Sequence, residues 1–587
     1  MPEAPSELPL RGISLFAILY FVVIFALISV SVFLQKSPTV DEPIHLFAGY
    51  SYLKFGDFRA NPEHPPLAKM WAALPLLAYP IKDFRSYPQW QRNPEGLIAD
   101  TAEAAHEAMF VENEAEPLFF FAKLQMIAIA IVLGIFVYLW AARLFGREAG
   151  VAALAIFGLD PNILAHSANI HTDFPFAACF FIGTYFFWRF LREGGWWRLA
   201  LTALCFAFAA ATKYATPGIF LVWFLLGIVW IFARQPDAAS DEGRRQKVFR
   251  VAAVLSAAPV AACAVIWAVY GFRYDAIPGG AAHYFHFEWY IPGESSLLRA
   301  PALFALRHHL LPEAWLYGQL YVLGTLRRPA YLLGQMSPVG FHAYFPVAFA
   351  VKTPLPTIVL FIAGLWLAVR GALKRIAAAF LIVPAVVYFL LAVGTGINIG
   401  LRHILPIYPF LFVLIAGAAA HLWTSRRFWR PALAILAVWY AASAVWIYPH
   451  YLAYFNEAAG GPKNGYKILT DSNLDWGQDL KGLKLWMERE RVEKIRFVHF
   501  GYDDPEYYGI DASYLPGTWI LFDPPATQSP GPSRYVAISP TLLYSPSIIG
   551  RRSQVEFVEQ FRGKEPLATI GYSIFIFKNE DPESHAR

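Results

Sequence analysis

Eleven apolar blocks, most near the roughly 20 residues a helix needs to cross a bilayer, constrain this chain more than any other feature. They run about 12–35, 118–142, 149–168, 172–191, 197–212, 215–233, 250–271, 344–369, 377–394, 403–423 and 431–448. Of 587 residues, 57% are hydrophobic and 16% charged, against about 45–50% and about 25% in soluble domains. This balance excludes a soluble enzyme, a disordered chain and a nucleic-acid factor. It predicts a polytopic α-helical membrane protein with about 11 transmembrane helices. The first block follows a short polar tail, is too long for a signal-peptide core and lacks a small-residue cleavage site, so it reads as a spanning helix. Cys179, Cys205 and Cys263 all lie inside apolar runs, which leaves no disulfide framework for an exported part.

Charge sets the expected orientation. With the N-terminus inside, the inner segments carry seventeen basic residues: Arg11, Arg143, Arg147, Arg189, Arg192, Arg198, Arg234, Arg244, Arg245, Lys247, Arg250, Arg370, Lys374, Arg375, Arg426, Arg427 and Arg430. The short outer loops carry only Lys213 and Arg402. Positive residues accumulate on the cytoplasmic side, so the long loops 36–117 and 272–343 and the tail 449–587 are expected outside. Residues 1–448 then form a membrane core and 449–587 a small soluble α/β domain. In the first long loop, Asp100–Glu116 suggests a solvated helix. In the second, runs such as Leu316–Leu326 suit helices lying in the interface plane. In the tail, Trp476–Glu490 has helical spacing, and Lys494–Gly501, Thr518–Phe522, Tyr535–Ser539 and Tyr572–Lys578 are rich in strand formers.

Few charged residues fall at the outer ends of the apolar blocks, and each admits a structural reading beside a chemical one. Asp41-Glu42 follows the first block; it is either a helix cap or a general base at a membrane-level site. Glu63-His64-Pro65-Pro66, followed by Lys69, is either a Pro-stiffened turn or a place for a metal or a phosphate. Asp173, at the mouth of an apolar helix, suits an N-cap; an ionisable group at that depth is also costly and usually functional. Lys213, Lys352, Arg402 and His403 break the inward bias of positive charge. One such cation is a snorkelling side chain; several together suit a phosphate or diphosphate headgroup. Glu63, His64, His283 and His286 are the candidates for a divalent metal ion, although no complete metal signature is present.

These pieces occur in a recognisable order: Asp41-Glu42, then Asn61-Pro62-Glu63-His64-Pro65-Pro66-Leu67-Ala68-Lys69, then His171-Thr172-Asp173, then Lys352-Thr353-Pro354 and Arg402-His403-Ile404-Leu405-Pro406-Ile407-Tyr408-Pro409. The set resembles the bacterial branch of the C-superfold (GT-C) glycosyltransferases akin to protein O-mannosyltransferases and the lipid A aminoarabinose transferase. The tail stretch Asp471-Ser472-Asn473-Leu474-Asp475-Trp476-Gly477-Gln478-Asp479 resembles the tail of that branch. The resemblance implies a GT-C-like fold and an inverting transfer of a sugar from a polyprenyl-phosphate donor. The acceptor, a protein, a lipid or a glycan, would be met on the outer face. It implies Asp41 as base beside Glu42, Asp173 as the second acidic residue, and Lys69, Arg402, His403, Lys352 and Lys213 around the donor phosphate. Where the aminoarabinose transferases read Glu-Lys before Pro-Pro, this chain reads Glu63-His64. The β-trefoil insertion of the O-mannosyltransferases has no counterpart. Two other readings stand beside this one: a transporter or flippase of lipid-linked sugar, and a non-catalytic cell-envelope assembly protein whose tail binds a partner.

Overall fold

The structure, a computed structural model, describes residues 13–92, 98–233, 243–279, 285–514, 533–545 and 552–579. All the apolar blocks are helical. Among the described residues, seven helices are long and apolar enough to cross a bilayer, or eight if the bent pair Tyr344–Lys352 and Leu355–Val369 counts as one span. The difference from eleven blocks has local causes. Block 149–168 is cut at Asp160-Pro161 into Arg147–Leu159 and Pro161–His166. Asp160 caps the second piece, accepting from Asn162 N–H (2.9 Å) and Ile163 N–H (3.1 Å), with Pro161 in the first helical position. Trp196–Ala210 and Thr216–Phe232 are only 15 and 17 residues long and are joined through a turn around Lys213.

The block 344–369 bends by 112°. Pro354 has no N–H to give the helix and pushes Thr353 into an extended conformation. The backbone oxygens freed by the break are taken by side chains, as a break at membrane depth requires. Asn456 Nδ2 donates to Ala350 O (2.7 Å) and Thr353 O (2.9 Å).

Helix Tyr408–Ser425 is buried along most of its length and sits at the centre. Helices Ile13–Leu34 and Trp429–Ile447 lie outside it, showing Phe16, Leu19, Val23 and Leu27, and Val438 and Val445, on the surface. Large exposed apolar faces of this kind are unusual in water and natural against lipid.

The loops depart from expectation in two places. The stretch Asp100–Glu116 is solvated only in part: helix Ile98–His106 and the π-helical turn Glu107–Val111 bury Thr101, Ala104, Ala105, Ala108 and Met109 against the helix Glu42–Phe55, while Glu114 and Glu116 are exposed. Its alanines permit that close approach. The run Leu316–Leu326 is helical as Glu313–Gly324, but it packs Leu316, Tyr317 and Leu320 into the bundle. An unforeseen antiparallel hairpin, Ala330–Leu332 with Gln335–Ser337, follows it.

The tail carries a five-stranded mixed sheet in the order Asp511–Tyr514, Lys494–Val498, Tyr535–Ile538, Ile574–Lys578, Ala568–Ile570. Lys494–Val498 runs parallel to both its neighbours, and the last pairings are antiparallel. The expected strand at Thr518–Phe522 lies outside the described residues. Helix Leu480–Glu490 covers one face with Leu480, Leu483, Trp486 and Met487. On the other face Val498, Ile538 and Phe575 pack in one cluster with Trp476, Val40 and Ile44. Thus one sheet face is sealed against the chain that follows the first spanning helix.

Candidate active site

Residues from four separated stretches meet under the tail and form a line of alternating charge. Asp41 is the cap residue of helix Glu42–Phe55 but makes no side-chain capping bond. Its carboxylate instead accepts from Arg402 Nη1 at 2.7 Å. Arg402, in the 3₁₀ turn Leu401–Ile407, also lies 3.8 Å from Asp173 Oδ2. Asp173 opens the helix Asp173–Glu193, is paired with Lys213 Nζ, and lies 3.3 Å from His171 Nδ1. Side-chain exposure is 28% for Asp41 against 8% for Arg402, 4% for Asp173 and 11% for Lys213. Asp41 is therefore the carboxylate that an incoming molecule meets.

Several buried polar atoms near this line have no hydrogen-bond partner among the described residues, which is uncommon in a settled interior. They are Arg402 Nε, His403 Nε2 and Glu63 Oε1. Arg328 faces both His403 and Glu63 electrostatically, and the Tyr321 hydroxyl lies beside Glu63. The guanidinium of Arg328 makes only long bonds, 3.4 Å each, to Thr325. Burial pushes the Glu63 carboxyl above its ordinary range, with Arg328 opposing it. Burial holds the His64 imidazole well below its usual value, helped by His45, Lys69 and Lys213, so His64 is neutral. From the tail, Asp471 approaches Arg402 and Asp41, and burial pushes it up to about 7. Tyr502, also buried, faces Asp41 and Glu63.

Other expected site residues are placed differently. Glu42 does not face outward with Asp41: it is buried, accepting from Lys123 Nζ (2.5 Å), Thr39 N–H (2.6 Å) and Ile170 N–H (2.9 Å). Lys69 Nζ donates to Tyr52 OH (2.8 Å), Asn61 O (2.7 Å) and His64 O (2.8 Å). Burial holds that amine well below its ordinary value, with Glu63 opposing. Lys352 Nζ donates to Leu452 O (2.9 Å), Tyr454 O (3.0 Å) and Asn473 O. An ammonium has three donors; in both lysines the protein's own oxygens occupy them in this structure. Of the metal candidates, His283 lies outside the described residues. His286 is exposed, with Glu288 at 2.9 Å and its ring stacked on Trp289. Among the described residues no group of three His, Cys, Asp or Glu side chains gathers where it could hold a metal ion.

The sequence reading missed Arg328, Tyr321 and Tyr502, and it did not connect Asp471 or Trp476 to the membrane core. One signal was available: Arg327-Arg328 is a basic pair in a loop assigned to the outer face.

Residues 119–267, about a quarter of the chain, match the family model described as dolichyl-phosphate-mannose-protein mannosyltransferase. That segment contains Asp173 and Lys213. No curated protein matches the chain. Among solved structures, ArnT from Cupriavidus metallidurans in the apo state aligns over 97% of this chain and 98% of its own, at 12% identity and a TM-score of 0.48. The same protein bound to undecaprenyl phosphate gives 11% identity and a TM-score of 0.48 over the same shares. The archaeal oligosaccharyltransferase AglB from Archaeoglobus fulgidus, in complex with an inhibitory peptide and a dolichol-phosphate, aligns over 89% of this chain and 61% of its own, at 15% identity and a TM-score of 0.43. Over residues 119–267, then, this polytopic helical membrane protein with an α/β tail is similar to the dolichyl-phosphate-mannose-protein mannosyltransferases.

Proposed function

We propose that this protein transfers a sugar, with inversion, from a polyprenyl-phosphate donor to an acceptor on the membrane face that carries Asp41, the periplasmic face of a bacterial inner membrane. One observation carries the reading: Arg402 is buried between the Asp41 and Asp173 carboxylates with its Nε unpartnered among the described residues, and the Nε2 atom of the adjacent His403, near Asp173 and Lys213, is buried and unpartnered too. Buried donors of this kind suit a group that brings its own negative oxygens.

The chemistry follows from the groups present. The acceptor hydroxyl lies against Asp41, the most exposed member of the line. Its oxygen attacks the anomeric carbon while its proton passes to the Asp41 carboxylate. The bond from that carbon to the phosphate oxygen breaks, and its electron pair leaves with the phosphate. Arg402, Lys213 and Arg328 stabilise the charge that develops there. They act in a water-poor setting with their geometry already fixed, where one such donor is worth about 2.7–4 kcal/mol of barrier. Asp173 holds Lys213 and lies near Arg402, keeping both cations in place between turnovers. One base and one direct displacement give an inverted product. The family match supports the donor class, and the acceptor class is a protein, a lipid or a glycan hydroxyl.

A transporter would use a broken helix such as 344–369, but here the break is closed by Asn456 and Lys352 bonds to backbone oxygens. The test is transfer by the purified protein in vesicles supplied with polyprenyl-phosphate-linked hexoses and pentoses, with the anomer of the product determined. Transfer with inversion is expected. Movement of labelled lipid across the bilayer without any transfer would replace this reading with a flippase.

A further inference from the structure

We infer that Trp476, in the soluble tail, is a positioning residue of the transfer site, holding both partners of the Asp41–Arg402 pair. The inference rests on the transfer reading above and adds to it a role for the tail. Its observations are geometric. The Arg402 guanidinium lies over the Trp476 ring, 4.3 Å from the centroid, and both side chains are buried. The Trp476 carbonyl accepts the N–H of Val40 at 2.8 Å, one residue before Asp41. The rings of His166 and His171 also lie beside it, with centroids 6.1 and 5.8 Å away, and His171 Nδ1 lies 3.3 Å from Asp173 Oδ2. One residue thus touches the arginine, the backbone leading to one carboxylate, and the histidine that holds the other.

The surrounding turn fixes Trp476 itself. Its N–H donates to Gln478 Oε1 at 2.7 Å. Gly477 follows at φ +87°, where an L side chain is strained, and a Cβ there would strike the Phe500 carbonyl. On the membrane side, Ser37 N–H donates to Gln478 O (3.0 Å), and Leu401 N–H donates to Asn473 Oδ1 (2.9 Å). The tail motif is therefore bonded to the backbone on both sides of the ion pair. An arginine has many rotamers; a flat aromatic platform selects the one that aims Nη1 at Asp41, and stacking on an aromatic face suits a guanidinium better than an ammonium.

Trp476 also packs in an apolar cluster with Val40, Ile44 and Leu452, so the test must separate positioning from packing. Trp476→Phe, Trp476→Leu, Arg402→Lys and the Leu–Lys double variant are assayed in the same vesicles as the unaltered protein. Trp476→Leu is expected to lower kcat roughly 10- to 100-fold with the donor KM within about 3-fold, because misaligned groups slow the step more than they weaken binding. Trp476→Phe is expected to stay within about 5-fold of the unaltered protein. The double variant is expected to be no more than about 3-fold worse than Arg402→Lys alone, because the tryptophan acts through the arginine. Losses that multiply, or a Trp476→Leu variant as fast as the unaltered protein, would overturn the inference. If Trp476→Leu does not fold, the cycle is read with Trp476→Met, which also lacks the aromatic face. Modification of Arg402 by phenylglyoxal, followed by mass spectrometry, needs no turnover. It should be several-fold faster without the ring and unchanged with Phe, and equal rates in all variants would refute the shielding. Failure of the unaltered protein to transfer sugar would sink the transfer reading alone, and the modification rates would still decide on Trp476.

Discussion

At the scale of single residues, the buried cations divide by what their donors already hold. Lys352 and Lys69 give theirs to carbonyl and hydroxyl oxygens, while Arg328 holds only two long bonds to Thr325. Lys352→Met should therefore lower stability by about 1–3 kcal/mol for each buried carbonyl left unpaired, seen as a fall in Tm, with the donor KM of the folded fraction unchanged. Arg328→Ala should do the reverse: donor KM rises about 10-fold while stability moves by less than about 1 kcal/mol, the usual range for a side chain with weak partners. The sequence marks all these cations alike, as positive charges on the unexpected side. It cannot separate them, because the oxygens that occupy Lys352 belong to residues about a hundred positions downstream. Asp41, Asp173, Lys213 and Arg402 were legible because each interrupts an apolar pattern at a helix end. The burial of Glu42 was not legible, because its carboxylate, though adjacent in sequence to that of Asp41, pairs with Lys123 from a distant helix.

At the scale of elements, the site exists because several helices stop where they do. Pro354 ends one helix and Pro161 opens another. Lys213 sits in the break between two helices, and Arg402 in the 3₁₀ turn Leu401–Ile407 that leads into helix Tyr408–Ser425. These prolines are plain in the sequence, so the breaks could be anticipated; the 112° bend could not, because its direction depends on Asn456 reaching back to Ala350 and Thr353. Asn456→Ala should leave both carbonyls unpaired and lower stability by about 2–6 kcal/mol, at about 1–3 kcal/mol each. Asn456→Asp keeps the shape without the Nδ2 donors and should be no better. A thermal-shift series on the purified protein in detergent reads this directly, and an Asn456→Ala variant as stable as the original would show the break to be self-sufficient. The acidic stretch Asp100–Glu116 misled because its charge suggested water, whereas its alanines let one face pack closely on a neighbour.

At the scale of the whole molecule, the tail and the membrane core share one apolar cluster and one charged centre, so they should unfold together. Burial pushes Asp471 up to about 7 and Asp475 up to about 6, with the nearby Arg402 opposing the first and the Ser539 and Thr541 hydroxyls the second. A carboxyl whose folded pKa is raised binds its proton better in the native state. Its contribution is fully present below the unfolded value of about 4 and is lost as pH rises through the folded value. Thermal stability should therefore fall as pH rises from about 4 to about 7, and Asp471→Asn should flatten that slope. The composition of the chain and its apolar blocks disclosed the helical core and the alternating tail; they could not disclose that the tail closes over the helix ends, since that contact joins residues near 40, 400 and 475.

The central claim is that Asp41 accepts the proton of the acceptor while Arg402 and Lys213 face the departing phosphate. Its most direct measurement compares Asp41→Asn with the unaltered protein in vesicles that contain a polyprenyl-phosphate sugar, following both sugar transfer and binding of the lipid donor. The account predicts that transfer falls by roughly a thousandfold or more, on the scale of a lost catalytic base, while donor binding stays within a few-fold. Undiminished transfer by Asp41→Asn would contradict it.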